Sequence, residues 1–372
     1  MSNNKWERGG LMMHKEVIII GAGPAGLTAA SQLLKIGVEV MLIDRNDLVG
    51  GQLTKQTHMF FGSEKQHASK RGIDILTMLD EKLKQYPNKL TVFTQTTVVG
   101  LYNDKVVTCI KDDRYFKLSA DAIIIATGAS EKSLPFENND LPGVYAAGAV
   151  QTLMNVYGVK PGHKVLMVGS GNIGLIVSYQ LMQAGVHVVG LVEAADHISG
   201  YLVHASKIKR LGVDLWMNTS VKKAIGVDSV EAVEIWQLDD QWQGIPGTEK
   251  QLEVDTICIA VGLAPLTELL QQIGAEVVYI RELGGNVPRV NKHYETSINN
   301  VFACGDVTGI EEASSAMIAG EITGIETALK LGYHVPNHTA KLTQLHCDLD
   351  TLRQGPHGSK IRQGIAKLGV QL

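Results

Sequence analysis

The chain twice runs from a continuous apolar stretch into a glycine-rich turn followed by helical spacing. Val17–Ile20 leads into GAGPAG (21–26), and VLMV (165–168) leads into GSGNIG (169–174). An unbroken apolar run before such a turn is typical of a strand covered on both faces, as in a parallel βαβ unit. The pattern therefore predicts an α/β protein with two such units.

The elements around each turn repeat one plan. After each βαβ unit come short antiparallel strands, and each half ends in an apolar strand closing on glycine, as DAIIIATGA (121–129) and DTICIAVGLAP (255–265). The chain then returns to the first half at VFACGDVTG (301–309). Helices are predicted at Ala25–Lys35, Ile73–Tyr86 and Glu312–Leu331, and strands at Val38–Ile43, Leu90–Phe93, Thr97–Tyr102, Val106–Ile110, Tyr115–Leu118, Val213–Trp216, Ala232–Leu238 and around Glu253.

The length of 372 residues favours two domains. SLPFENNDLPGV (133–144) carries two prolines and acidic residues, which is typical of a linker. We predict two Rossmann-like dinucleotide-binding domains, with the second inserted into a discontinuous first. The expected bounds are 12–134 and 280–335 for the first domain, 135–279 for the second and 336–372 for a C-terminal tail.

Composition excludes several classes of function. A formal net charge of −4 and only 5% aromatic residues give neither a basic field nor stacking platforms for nucleic acid. The cysteines at 109, 258, 304 and 347 have no paired spacing, so neither a disulfide framework nor a metal site is expected. Cys109 and Cys258 are interpreted as core residues, and the compartment as cytoplasmic. Residues 165–191 lack charge, but we interpret them as a buried βαβ unit rather than a membrane span.

The first turn has the parts of a dinucleotide site. Gly21 permits the tight bend, Gly23 lets the backbone approach a pyrophosphate, and Gly26 lets helix and strand pack closely. Asp44 follows at the spacing of an acid that binds ribose hydroxyls. The alternative is a glycine turn that merely packs.

The second turn repeats these features with Gly169, Gly171 and Gly174, and Glu193 takes the place of Asp44. A carboxylate there would repel a 2′-phosphate, and no arginine follows in VEAADHISGY. This favours NAD(H) over NADP(H). Alternatively, Glu193 is a solvated residue at a strand end.

Together, GAGPAG, Asp44, GGQL (50–53), ATGA (126–129), GSGNIG and CGD (304–306) resemble the two-dinucleotide-binding-domain flavoproteins of the thioredoxin reductase type, over about residues 15 to 332. The resemblance implies FAD on the first unit, with Asp306 near its ribityl–pyrophosphate region and a helix N-terminus around Glu312–Ser314 directed at the flavin. No catalytic side chain is identified. The expected cofactor-binding residues are Gly21, Ala22, Gly23, Pro24, Ala25, Gly26, Asp44, Arg45, Gly51, Gln52, Leu53, Val98, Thr127, Gly128, Gly305, Asp306, Ala313 and Ser314 for FAD, and Gly169, Gly171, Asn172, Ile173, Gly174, Glu193 and Gly262 for NAD(H).

The chain departs from that type in its redox chemistry. Thioredoxin reductases carry a CxxC before the second glycine turn, whereas the matching stretch here is GVYAAGAVQ (143–151), with Ala146 and Gly148. A disulfide relay needs two adjacent thiols, so the dithiol route is excluded. His58 and His67 lie in the polar loop after GGQL, where a lone histidine is more often a surface residue.

Residues 283–325 and LRQGPHG (352–358) resemble the FAD/NAD subunits of amine and amino-acid dehydrogenases, such as dye-linked L-proline dehydrogenase, opine oxidase, hydrogen cyanide synthase and sarcosine oxidase (alpha). This implies an FAD-dependent NAD(P)H oxidoreductase working with a second flavoprotein or an electron carrier, and it is compatible with a homo-oligomer. The alternatives are a ferredoxin–NAD(P)H reductase-like enzyme and a non-catalytic, nucleotide-holding subunit. The tail either docks a partner or packs on the first domain.

Overall fold

The computed structural model describes residues 12–60 and 64–369. The described residues form two compact units: unit 1 contains 12–54, 59–60, 64–130 and 264–369, and unit 2 contains 55–58 and 131–263. Each unit has helices beside a sheet whose central strands are parallel, so the predicted fold class, two Rossmann-like units with one inserted into the other, is confirmed.

Unit 1 is built on a seven-stranded sheet. Its strands, in spatial order, are Leu90–Phe93, Val40–Ile43, Met13–Ile20, Arg114–Ile125, Val106–Lys111 and Thr97–Leu101, with Val301–Ala303 also paired to Arg114–Ile125. Two separate strands were predicted at 115–118 and from 121, but they are one strand. Its first half pairs antiparallel with Val106–Lys111 and its second half parallel with Met13–Ile20, so the chain does not turn between them.

The helices of unit 1 are Pro24–Ile36, Gly72–Lys84, Glu268–Gln272, Ala313–Lys330, His338–Leu352 and Gly355–Leu368, and a hairpin joins Val277–Ile280 to Gly285–Pro288. The helix that follows the first glycine turn, Pro24–Ile36, packs closely on Ala313–Lys330, which we call the late helix. A Cβ on Gly320 would lie 2.2 Å from the Ala25 carbonyl oxygen, so no larger residue fits this contact. The Thr28 hydroxyl also donates to the Met317 carbonyl at 2.9 Å.

The C-terminal helices His338–Leu352 and Gly355–Leu368 pack on the rest of unit 1, and docking of a partner by this segment stays a prediction. Lys341 donates to the Gln32 side chain at 2.6 Å, and Lys367 pairs with Glu282 at 2.6 Å. Residues 264–279 also belong to unit 1, whereas we expected that domain to resume at 280. The reason is apolar packing, because Leu270 and Ile273 are buried in one core cluster with strand residues of unit 1.

Unit 2 has a five-stranded parallel sheet in the spatial order Asp214–Trp216, His187–Val192, Lys164–Val168, Thr256–Ile259 and Val144–Ala146. A separate antiparallel sheet contains Thr219–Ile225, Ala232–Gln237 and Lys250–Glu253, and the short strands Ala129–Glu131 and Leu263–Pro265 form a two-stranded sheet. The helices of unit 2 are Ala147–Asn155, Asn172–Gln183 and Leu202–Arg210. The first and the last of these were not predicted.

The uncharged stretch 165–191 forms a strand, a turn, a helix and a second strand, as predicted. Within residues 12–60 and 64–369, no helix has the length and apolar character needed to cross a membrane.

Candidate functional site

The first glycine turn needs its glycines for two different reasons. Gly21 has φ +105°, and a Cβ there would lie 2.2 Å from the Ala126 carbonyl oxygen. A Cβ on Gly26 would lie 1.9 Å from the Gly21 carbonyl oxygen. At Gly23, by contrast, the nearest described atom to an added Cβ is the Gly51 Cα, 3.9 Å away. Gly21 and Gly26 are therefore required by the fold, whereas Gly23 faces open space that a ligand can fill.

Hydrogen bonds from the first glycine turn and from Asn46 hold the Asp44 carboxylate in place. One carboxylate oxygen accepts from the Ala22 amide at 2.7 Å, and the other accepts from the amide and the side chain of Asn46, both at 2.9 Å. The residue is only 8% exposed. A carboxylate has about four acceptor positions. Among the residues that the structure describes, donors fill three of them, which leaves one for a ligand hydroxyl.

Two further motifs converge on the first turn. A Cβ on Gly51 would lie 2.8 Å from the Gly23 Cα, and the Gly50 amide donates to the Ala22 carbonyl at 2.7 Å. Gly305 has φ +77°, and a Cβ on it would lie 2.8 Å from the Ala25 Cβ. GGQL and CGD therefore both pack directly against the start of the helix Pro24–Ile36.

The N-termini of two helices lie beside the first glycine turn and the GGQL and CGD motifs. The helix Pro24–Ile36 and the late helix begin after Gly23 and Glu312, and in the described part of the chain neither start has a side-chain cap. The late helix comes near Gly305 as well, since a Cβ there would lie 3.7 Å from the Ala316 Cβ. Uncapped amides and the partial positive charge of a helix start attract anions.

Asp306 adds a second acceptor beside these helix starts. Burial raises the pKa of Asp306 to about 7; the hydrogen bond from the Glu311 amide opposes this, and the Glu311 charge adds to it. The open glycine backbone and the two helix starts suit a pyrophosphate, and the two carboxylates can accept hydrogen bonds from hydroxyls. The residues of unit 1 therefore fit FAD.

The second turn repeats the first. Gly169 has φ +103°, and a Cβ there would lie 2.4 Å from the Ala260 carbonyl oxygen, while one on Gly174 would lie 2.1 Å from the Gly169 carbonyl oxygen. A Cβ on Gly171 would have no described atom within 4 Å. The helix Asn172–Gln183 follows, also without a side-chain cap among the described residues. Unit 2 therefore fits a second dinucleotide.

Glu193 is held as Asp44 is, but by different donors. One oxygen accepts from the Ser170 amide at 2.8 Å and from the Ser170 hydroxyl at 2.5 Å, and the other accepts from the Ala195 amide at 3.0 Å. In the described structure, one acceptor position again stays available. Ser170 and Asn46 were missed from the sequence, although Ser170 lies inside the turn itself.

The remaining predicted residues vary in their placement. Leu53 is fully buried in the core, and the Thr127 hydroxyl donates to the Leu266 carbonyl at 2.8 Å, so both side chains stabilise the fold of unit 1. Gly128 and Gly262 have φ +72° and +116°. The Asn172 side chain accepts from the Tyr201 amide at 2.8 Å. Arg45, Gln52 and Ile173 are exposed, Pro24, Val98 and Ala313 are partly buried, and Ser314 is buried.

Two charged side chains, those of Lys55 and Glu131, contact the backbone of the stretch that would carry a redox dithiol. The Gly148 amide donates to Glu131 at 2.7 Å, and Lys55 donates to the Gly148 carbonyl at 3.0 Å. A Cβ on Gly148 would lie 2.7 Å from a Glu131 oxygen and 2.8 Å from the Lys55 nitrogen. Burial lowers the pKa of Lys55, and the Glu131 charge opposes this. A cysteine at position 148 would therefore displace the side chains of Lys55 and Glu131.

Comparison with known proteins gives a consistent result. A family model described as pyridine nucleotide-disulphide oxidoreductase matches residues 15–320. Sarcosine oxidase subunit alpha of Corynebacterium sp. (strain P-1) is 25% identical over 340 residues, covering 86% of this chain and 33% of that protein. Hydrogen cyanide synthase subunit HcnB of Pseudomonas protegens is 26% identical over 333 residues, covering 85% of this chain and 70% of that protein.

The chain thus spans about a third of the length of that sarcosine oxidase subunit. Among solved structures, the thioredoxin reductase of T. acidophilum has a TM-score of 0.69 at 22% identity and covers 86% of this chain and 99% of that one. That likeness concerns the fold. The predicted resemblance to this group of proteins is confirmed.

Proposed function

Since the chain belongs to the pyridine nucleotide-disulphide oxidoreductase family and is an FAD- and NAD(P)-dependent oxidoreductase, we propose that unit 1 holds FAD and unit 2 holds NAD(H). When both are bound, these cofactors supply hydride transfer between nicotinamide and flavin. The observation that carries the proposal is the repeated turn, because each unit pairs an open glycine backbone with a carboxylate that keeps one acceptor position.

FAD is assigned to unit 1 because additional groups converge there. Gly51, Gly305 and the start of the late helix pack around the first turn, and Asp306 supplies a second carboxylate. In this arrangement the uncapped amides bind the pyrophosphate, while Asp44 and Asp306 accept hydrogen bonds from hydroxyls. These residues bind and orient the cofactor, and we assign none of them a proton transfer.

NAD(H) rather than NADP(H) is proposed for unit 2. The free acceptor position of Glu193 suits a hydroxyl donor, whereas a 2′-phosphate offers only negative oxygens near a negative carboxylate. Ser170 and Ala195 hold that carboxylate in place, which preserves the discrimination.

We further propose that the chain is a subunit of an amine- or amino-acid-oxidising complex. Because Ala146 and Gly148 stand where the two cysteines would be, and Lys55 and Glu131 occupy the space beside Gly148, electrons do not leave through a dithiol there. The relatives that support a complex are themselves named as subunits. A ferredoxin–NAD(P)H reductase-like enzyme is the second candidate, since it also needs no dithiol.

The central test is the visible spectrum of the purified protein, recorded before and after anaerobic addition of NADH. We expect a yellow protein that releases FAD on denaturation and whose flavin band is bleached by NADH. A colourless protein that FAD cannot reconstitute would refute the assignment of unit 1. Bound FAD that neither NADH nor NADPH bleaches would instead support the non-catalytic, nucleotide-holding subunit.

The complex is tested by affinity isolation of the full chain from its native host. We expect a second flavoprotein to co-purify, together with dye reduction that depends on an amine or amino acid. A chain that purifies alone and reduces ferredoxin at the expense of NADH would favour the second candidate.

A further inference from the structure

Arg353, at the end of the helix His338–Leu352, forms a buried two-point ion pair with Glu311. Its Nε and Nη2 atoms lie 3.0 and 2.6 Å from the two carboxylate oxygens of Glu311. The side chains are only 8% and 15% exposed. The buried Tyr294 side chain also interacts electrostatically with Arg353. Removing one member of a buried pair leaves an uncompensated charge, so each of these two groups depends on the other.

Glu311 connects this pair to the proposed FAD site. It directly precedes Glu312, the residue before the late helix. The Glu311 amide lies 3.4 Å from a carboxylate oxygen of Asp306 and donates to it. The loop 306–312 therefore has Asp306 at one end and the start of the late helix at the other, and the Arg353–Glu311 pair fixes it between them.

The motif LRQGPHG gains a structural explanation from this pair. Gly355 has φ +82°, which suits the turn between the last two helices. A Cβ on Gly358 would lie 1.9 Å from the Arg353 carbonyl oxygen, and the Arg362 side chain donates to that same oxygen. Residues at the start of the last helix therefore hold the backbone of Arg353, while its side chain pairs with Glu311.

We infer that Arg353 is a positioning residue for the FAD site, acting through Glu311 on the loop 306–312. The inference rests on the proposed function, because it takes unit 1 as the FAD unit. Arg353 neutralises Glu311, so that Asp306 has no unpaired negative charge beside it, and it holds the late helix start in place. It lies beyond residues 15–320, which the family model matches.

The test is the dissociation constant of FAD from reconstituted apoprotein, measured by calorimetry together with the melting temperature of each variant. We expect Arg353→Met to weaken FAD binding about tenfold or more, because the Glu311 charge is then buried and unpaired. Arg353→Lys should recover part of the affinity, since it keeps the charge but loses the two-point geometry. The double variant Glu311→Gln/Arg353→Met should recover most of it.

Lys367→Met is the matched control, because it breaks another ion pair of the C-terminal segment, with Glu282. It should leave the FAD dissociation constant unchanged. Wild-type affinity in Arg353→Met, or a double variant that binds as weakly as Arg353→Met, would overturn the inference. If Arg353→Met does not fold, Arg353→Lys and the double variant decide by the same criteria. A wild-type protein that does not bind FAD would instead refute the proposed function itself.

Discussion

Ser170 donates two hydrogen bonds to a single oxygen of Glu193, from its amide at 2.8 Å and from its hydroxyl at 2.5 Å. In unit 1 the corresponding Ala22 donates only through its amide, and the side chain of Asn46 supplies the additional bond. The two units thus reach the same result, a carboxylate with three filled acceptor positions in the described structure, through different side chains. The geometry of the carboxylate, rather than one particular donor, is what the repeated turn preserves.

Replacing Glu193 should change which nicotinamide nucleotide the protein uses. Glu193→Arg removes the acceptor for ribose hydroxyls and adds a partner for a 2′-phosphate, so we expect the ratio of kcat/KM for NADH over NADPH to fall below one. Ser170→Ala should keep the preference for NADH and weaken its binding by about 0.5–1.5 kcal/mol, the usual contribution of one hydrogen bond. A wild-type protein whose kcat/KM for NADPH equals or exceeds that for NADH would contradict this role of Glu193.

Gly23→Ala and Gly171→Ala should separate the two cofactor sites. Both glycines have ordinary backbone angles, with φ −76° and −64°, and an added Cβ has room at each position. We therefore expect both variants to fold with near-wild-type melting temperatures. Gly23→Ala should weaken FAD binding, whereas Gly171→Ala should stay yellow and bind NADH more weakly, because each methyl group fills space needed by a pyrophosphate.

Gly21→Ala is the control for these two variants. At φ +105° and 2.2 Å from the Ala126 carbonyl oxygen, an alanine would strain the fold itself, so its melting temperature should fall sharply. The assignment of the two units would be reversed if Gly171→Ala lost FAD and Gly23→Ala kept it.

Asp306 should make the apoprotein less stable as the pH rises. Burial raises the pKa of Asp306 to about 7, from 3.8 in the unfolded chain, so between these values the folded protein binds more protons than the unfolded one. Its contribution to the unfolding free energy therefore falls with increasing pH, by at most about 1.4 kcal/mol per pH unit. Urea unfolding at about pH 4 and pH 7 should show this slope in wild type relative to Asp306→Asn. Equal slopes in the two proteins would show that Asp306 ionises normally.

The sequence predicted the parts of this protein that depend on local pattern. The apolar run 17–20, the glycines at 21 and 26 and the acid at 44 all lie within 28 residues, and their spacing is set by the geometry of one βαβ unit. The strand Arg114–Ile125 was divided wrongly, because its two halves pair with different partners that periodicity cannot identify. The pairing of Arg353 with Glu311 was also missed, since a contact across 42 residues leaves no local signal.

Three of the four cysteines should be unreactive in the native protein. Cys109, Cys258 and Cys304 are fully buried, and burial raises the pKa of Cys109 and of Cys304 to about 12, so hardly any thiolate forms at neutral pH. Cys347 is exposed. Mild iodoacetamide treatment followed by mass spectrometry should therefore find one adduct per chain, at Cys347, and NADH–dye activity should survive it. Cys304→Ala should likewise keep both its FAD and its activity. If it kept FAD but lost activity, Cys304 would have a thiol function in the reaction despite its burial.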